Sequence, residues 1–414
     1  MKFAPRPEND FQDYIRTYYD ECRCRFGKIE AIAGKWTFRD LLPAMSDFDT
    51  RFILQDGMDA DDWCEMSEAV GQAHLHLCRK HPCWIRNLEH LPGINLTWEE
   101  LCSERMYYPE YRQWTFYHTE NQEKLSRAKE RFAARPWDIK DEYFHLKKFC
   151  LYYGRYDRTI DPAVNLGVHE NKYPLHSRIM HYFNPPVMSA VCILSRKNLA
   201  GKFESFERAE SLFSGLKCWA IIDEILNAHY ETPKWYGEPH LSMLEDELET
   251  ALKFIAGSLR DVITVVPEEA GTDIGKWKES LQNVRVDPAL RVFENAKFSR
   301  LMKGRLIFYA SAPEYFQTEW LISNELRRLG NNFFRVPFRT YWEIKTGKKV
   351  DDPAVIIPLL RGSVLSDSEA DAVAEFARLT PGHWEHGREK EIALAIAGIF
   401  DDFFHALTRL TKDI

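Results

Sequence analysis

The chain has 414 residues, enough for roughly two or three domains that each bury a core. Its 45% hydrophobic and 29% charged residues exclude a disordered chain. The net charge of −8, from 55 Lys+Arg against 63 Asp+Glu, has the wrong sign for a protein that wraps nucleic acid, so a nucleic-acid partner is not expected. Apolar runs fall short of the ~18–20 residues of a membrane span, and the first residues, MKFAPRPENDF, contain no apolar signal core. None of the nine cysteines forms a CxxC pair. These features predict a cytoplasmic protein with reduced thiols and no membrane partner. The aromatic share of 14% reads first as core and only then as pocket wall.

Asp10 can cap a helix that runs to about Cys24, with Phe11, Tyr14, Ile15 and Tyr18 on one apolar face and Gly27 as its stop. A short apolar strand over 29–33 ends at Gly34, and a loop containing Pro43 follows. Over 46–54, Asp47, Asp49 and Arg51 alternate with Phe48, Thr50 and Phe52, the period of a strand. Asp56-Gly57 signals a turn, and residues 60–80 read as a second helix that ends before Pro82. On a strand, residues two apart share a face, so Asp47 and Asp49 would present two carboxylates side by side. A divalent cation relieves their repulsion, and Mg²⁺ suits a few carboxylates plus phosphate oxygens. A glycine closing the preceding strand lets backbone N–H groups approach a triphosphate.

This order of helix, strand, Gly34, loop and Ser46-Asp47-Phe48-Asp49 resembles the signature of the nucleotidyltransferase superfamily, which includes polymerase-beta-like and antibiotic-modifying enzymes. The resemblance spans about residues 10–80. It implies Mg²⁺-dependent transfer of a nucleoside monophosphate from an NTP such as ATP to a small-molecule acceptor. Asp47 and Asp49 would hold one or two Mg²⁺ ions. Gly34 and Ser46 would bring donors to the phosphates, and Lys35 and Arg39 would add positive charge. Family members use a third acid on a later strand; Glu89 is the first candidate, ahead of a turn at Leu91-Pro92-Gly93, with Asp157 and Asp161 as others. Lys35 stands where the family usually has Ser or Gly. That departure keeps open a non-catalytic nucleotide-binding or interaction protein on the same fold. An RNA-directed nucleotidyltransferase is a third reading, with Arg327, Arg328, Arg335, Arg339, Lys345, Lys348 and Lys349 as a local basic patch.

Farther on, Thr97 and Glu100 have capping-box spacing and start a helix. Arg155, Asp157 and Arg158 form one candidate substrate-contact loop, and His176, Arg178 and His181 a second, where Arg could hold an anion and His could move a proton. His74, Cys78 and His81, with His76 and Cys83 nearby, could alternatively hold zinc on one helix face. The remainder is helical: a stripe of Leu212, Leu216, Trp219, Ile222 and Leu226 over 206–229, a capping box at Ser242 and Glu245, a helix from Pro313 to Leu329 closed by Gly330, a helix capped by Ser366 and Glu369, and a last apolar helix over 390–411. Asp223 or Glu224 could serve as an acceptor-side base. The expected fold class is α+β. A small mixed sheet of nucleotidyltransferase type with flanking helices occupies residues 1–200, and a mostly helical domain occupies 201–414.

Overall fold

The computed structural model describes residues 9–41, 48–84, 87–88, 91–153, 178–231, 238–284, 287–313, 322, 325–326, 329–380 and 387–414. The architecture is α+β, mostly helical around one small mixed sheet. Helix α1 (Asn9–Arg25) leads to strand β1 (Ile29–Gly34), β2 (Thr50–Leu54) and helix α2 (Ala60–Lys80). Strand β3 (Leu96–Thr97) runs straight into α3 (Trp98–Leu101), and β4 (Thr115–Thr119) precedes α4 (Gln122–Ala134) and α5 (Ile139–Tyr152). The helices α6 (Asn184–Ser195), α7 (Lys202–Leu212), α8 (Cys218–Glu231) and α9 (Glu238–Arg260) follow. Then come α10 (Ile274–Asn283), α11 (Pro288–Ser299), α12 (Met302–Ser311), α13 (Val336–Thr346), α14 (Ile357–Leu360), α15 (Asp367–Leu379) and α16 (Glu389–Asp413).

The sheet order is β3-β2-β1-β4, with β1 antiparallel to β2 and β4, and β2 parallel to β3. Gly34 lies opposite both Thr50 and Thr115. One sheet face, with Ile32, Phe52 and Leu54, joins the large core under α1 and α2. The other, with Ala31, Ala33 and Ile53, packs on a smaller cluster containing Trp98, Leu101, Tyr111 and Trp114. The expected α1 face is buried at Phe11, Tyr14, Ile15 and Tyr18. The large core takes residues from both sides of position 200. Within it α2 crosses α12, where the backbones of Gly71 and Gly304 nearly touch and Gly304 N–H donates to Ser67 Oγ at 3.0 Å.

Four elements depart from expectation. Strand β2 begins at Thr50, not Ser46, because the chain makes a tight turn at Asp49: Thr50 N–H donates to the Phe48 carbonyl at 2.9 Å. The helix expected over 206–229 is two helices. The first ends at Leu212, and the Trp219 indole N–H satisfies the Phe213 carbonyl at 3.0 Å beside Ser214-Gly215. Helix α9 starts before Ser242, so Glu245 sits inside it and pairs with Arg178 rather than capping a helix. Gly330 opens a π-helical turn (Gly330–Arg335) rather than closing a helix. The capping boxes at Thr97–Glu100 and Ser366–Glu369 form as the sequence indicates. Among the described residues, no helix is long and apolar enough to cross a membrane.

Candidate functional site

The site is built around the end of β1. A Cβ at Gly34 would overlap the ring of Tyr117 on β4, whose hydroxyl donates to the Trp36 carbonyl. The glycine is therefore required by the packing of Tyr117. One residue on, Lys35 N–H donates to the Asp49 carbonyl at 3.2 Å and carries the β1–β2 pairing past Gly34. The loop beyond is tied down by Asp40, whose carboxylate accepts from Thr37 N–H at 3.0 Å and from Phe203 N–H at 2.9 Å. Lys35 Nζ lies 4.9 Å from the Trp36 ring centre. Burial alone would depress its pKa; the charges of Glu110 and Asp49 outweigh that and leave it raised.

Arg51, on β2, pairs with Glu110 at 3.1 Å, with side chains 9% and 13% exposed. Arg51 Nη1 also donates to the Thr50 carbonyl at 2.8 Å, and a Cβ at Gly93 would sit 2.7 Å from that nitrogen. Gly93 thus leaves room for the guanidinium. Glu110 is presented by the 3-10 turn Pro109–Gln113 and accepts from the Trp114 indole at 3.3 Å. Burial pushes the Glu110 carboxyl up, but Arg51, then Lys35 and Lys148, pull it below its ordinary value. Glu110 is the acid that sequence reading missed. Its only local signal is Pro109, which places it at the start of a turn.

Tyr108 and Glu110 form a wall between two cavities. One, of about 410 Å³, is lined by Arg51, Asn295, Phe298, Arg305 and Glu325 among others. The second, of about 540 Å³, is lined by Lys35, Lys147, Lys148, Tyr152, Arg291 and Glu294. Among the described residues, no ion pair involves Lys147, Lys148 or Arg291. Burial, helped by the like charge of Lys35, drives Lys148 down to about 7. On the far side of Tyr108, Lys297 is buried and donates to Tyr111 Oη at 2.7 Å; burial lowers it to about 8.

The other expected residues distribute as follows. Arg39 is ion-paired with Glu207 on α7. Arg178 is buried and paired with Glu245 at 3.0 Å, in the π-helical turn Arg178–Phe183. His181 belongs to the same turn, with its side chain outside the described residues. Ser46, Asp47, Glu89, Arg155, Asp157, Arg158 and His176 lie outside the described residues. Strands β3 and β4 carry no acid. Asn95, just before β3, uses Oδ1 to accept from Phe52 N–H at 2.9 Å.

No family model, curated protein or solved structure matches the chain.

Among the described residues, no three His, Cys, Asp or Glu side chains gather into a metal cage. His74, weighed as a zinc ligand, instead contacts Tyr18 Oη at 3.0 Å through Nδ1 and the Leu88 carbonyl at 2.6 Å through Nε2. Glu110 is committed to Arg51. Asp49 lies at the end of the β1–β2 ladder, and Asp47 lies outside the described residues.

Proposed function

We propose that the chain is a Mg²⁺-dependent nucleotidyltransferase that moves a nucleoside monophosphate from an NTP to a small-molecule acceptor. The reading rests on the resemblance of Gly34-Lys35 and Ser46-Asp47-Phe48-Asp49 to that superfamily's signature. One structural observation carries it furthest. The Lys35–Asp49 backbone bond joins the main chain of an acidic residue to Lys35, which lines a cavity with Lys147, Lys148 and Arg291. Acid beside clustered cations is the electrostatic layout that a metal-bound triphosphate requires.

In this reading Asp47 and Asp49 would hold Mg²⁺, which when bound neutralises charge on the triphosphate. Lys35 and Lys148 bind phosphate oxygens as point charges. The Arg51–Glu110 pair fixes one wall of the cavity that Lys35 also lines. An acceptor hydroxyl oxygen bonds to Pα, the Pα–O bond to the β-phosphate breaks, pyrophosphate leaves, and the hydroxyl proton goes to solvent. Incubating the full chain with Mg²⁺ and each of the four NTPs, and following pyrophosphate release, tests the reading.

A second reading, nucleotide binding without transfer, is favoured by one observation: the strands flanking β1 and β2 carry no third acid. Calorimetry separates the two, since binding without pyrophosphate release supports the second. RNA as acceptor has less support, because within the basic patch Lys345 is paired with Asp413 and Lys349 with Glu343.

A further inference from the structure

The phosphate cavity has an annex. A chamber of about 560 Å³ between α5, α10 and α11 shares Tyr143, Lys147, Leu151 and Arg291 with the cavity beside Lys35. The two are therefore neighbouring chambers of one cleft. The outer one adds Lys278, Gln282, Cys150 and Leu281 to its walls. Three cations, Lys147, Lys278 and Arg291, line it, and no acid does. This occurs in a chain of net charge −8. Among the described residues, none of these three cations has an ion-pair partner. Leu151, Leu281 and the Tyr143 ring add apolar surface to the lining. The volume is that of a small-molecule site rather than a nucleic-acid groove.

We infer that this outer chamber binds a small phosphate monoester, with Arg291 and Lys278 on the phosphate and the organic part against Leu151 and Tyr143, and that this ester is the acceptor. Arg291 stands at the junction of the chambers and so reaches either ligand. A planar guanidinium can grip two phosphate oxygens at once, while Lys278 supplies a point charge. Naming the occupant as acceptor rests on the transferase reading; the chamber's preference for a phosphate does not.

The test is calorimetry on the full chain with two probes, glycerol 3-phosphate for the outer chamber and Mg²⁺–tripolyphosphate for the inner one. Both should bind together. Lys278→Gln, at an exposed position on α10, should weaken glycerol 3-phosphate about tenfold, the loss of one charge-assisted hydrogen bond, and leave tripolyphosphate within about twofold. Lys148→Met should do the reverse. No binding of glycerol 3-phosphate, one-for-one displacement by tripolyphosphate, or indifference to Lys278→Gln would each overturn the inference. An RNA hairpin that binds more tightly than the ester, and loses affinity with Lys278→Gln, would overturn it in favour of a nucleic-acid acceptor. Ester binding without pyrophosphate release from any NTP would leave the chamber assigned and remove the transferase reading instead.

Discussion

Lys35 and Asp49 are joined main chain to main chain, the Lys35 N–H donating to the Asp49 carbonyl over 3.2 Å. The bond adds one rung to the β1–β2 ladder beyond the Gly34–Thr50 pair. It holds the acid-bearing segment against the strand end whose lysine enters the cationic cavity. Substitutions around this rung separate its structural role from its chemical one.

The Arg51–Glu110 pair is a structural device in this account. Arg51→Ala leaves a nearly buried carboxylate without its partner and should cost about 3–5 kcal/mol in urea unfolding. Glu110 has a lowered pKa in the folded chain. Its contribution is therefore complete above its unfolded value, near 4.5, and is lost as pH falls through the folded one. The acid limb of the stability profile should flatten in Glu110→Gln, measured by thermal unfolding between about pH 3 and pH 6.

Gly34→Ala should destabilise by about 1–3 kcal/mol, because the added methyl meets the Tyr117 ring. Combining it with Tyr117→Leu should recover part of the loss. If Gly34→Ala were neutral, the ring would not be what selects glycine there.

Much of this was legible from local pattern. The first helix, the last helix and two capping boxes follow from 3.6-residue periodicity and from Ser/Thr–Glu spacing, which neighbours in sequence determine. Glu110 was not legible, because its role is set by Arg51, 59 residues away. Gly34 was visible as a special position, but its steric reason lies across the sheet in Tyr117. The start of β2 is not legible in the sequence because alternation persists through the turn at Asp49. The break at Ser214-Gly215 was hidden because the apolar stripe continues in register across two helices.

Lys148 should give the cavity a pH-dependent grip. Its pKa of about 7 lies far below the ordinary 10.5 because burial and Lys35 oppose its charge. A bound polyphosphate favours the charged form, so affinity should fall as pH rises from about 6 to 8.5. Lys148→Met should remove that dependence. The stability effect has the opposite sense: between the folded and unfolded pKa values the unfolded chain holds more protons, so stability rises with pH there. Titration calorimetry of tripolyphosphate at several pH values, beside thermal unfolding, reads both.

The crossing of α2 on α12 ties the sheet-bearing half to the helical half. A Cβ at Gly304 would overlap the Ser67 carbonyl, which is backbone and cannot swing aside. Gly304→Ala should therefore cost about 1–3 kcal/mol. A single cooperative transition that shifts as a whole would accord with the continuous core; loss of only part of the unfolding signal would not.

Pyrophosphate release from NTP and Mg²⁺ by Asp47→Asn and Asp49→Asn, beside the unaltered chain, bears on the central claim most directly. Release should occur with the native chain and vanish in both variants while their thermal unfolding stays near native. A variant with full activity, or a native chain that binds nucleotide yet releases no pyrophosphate, would contradict it.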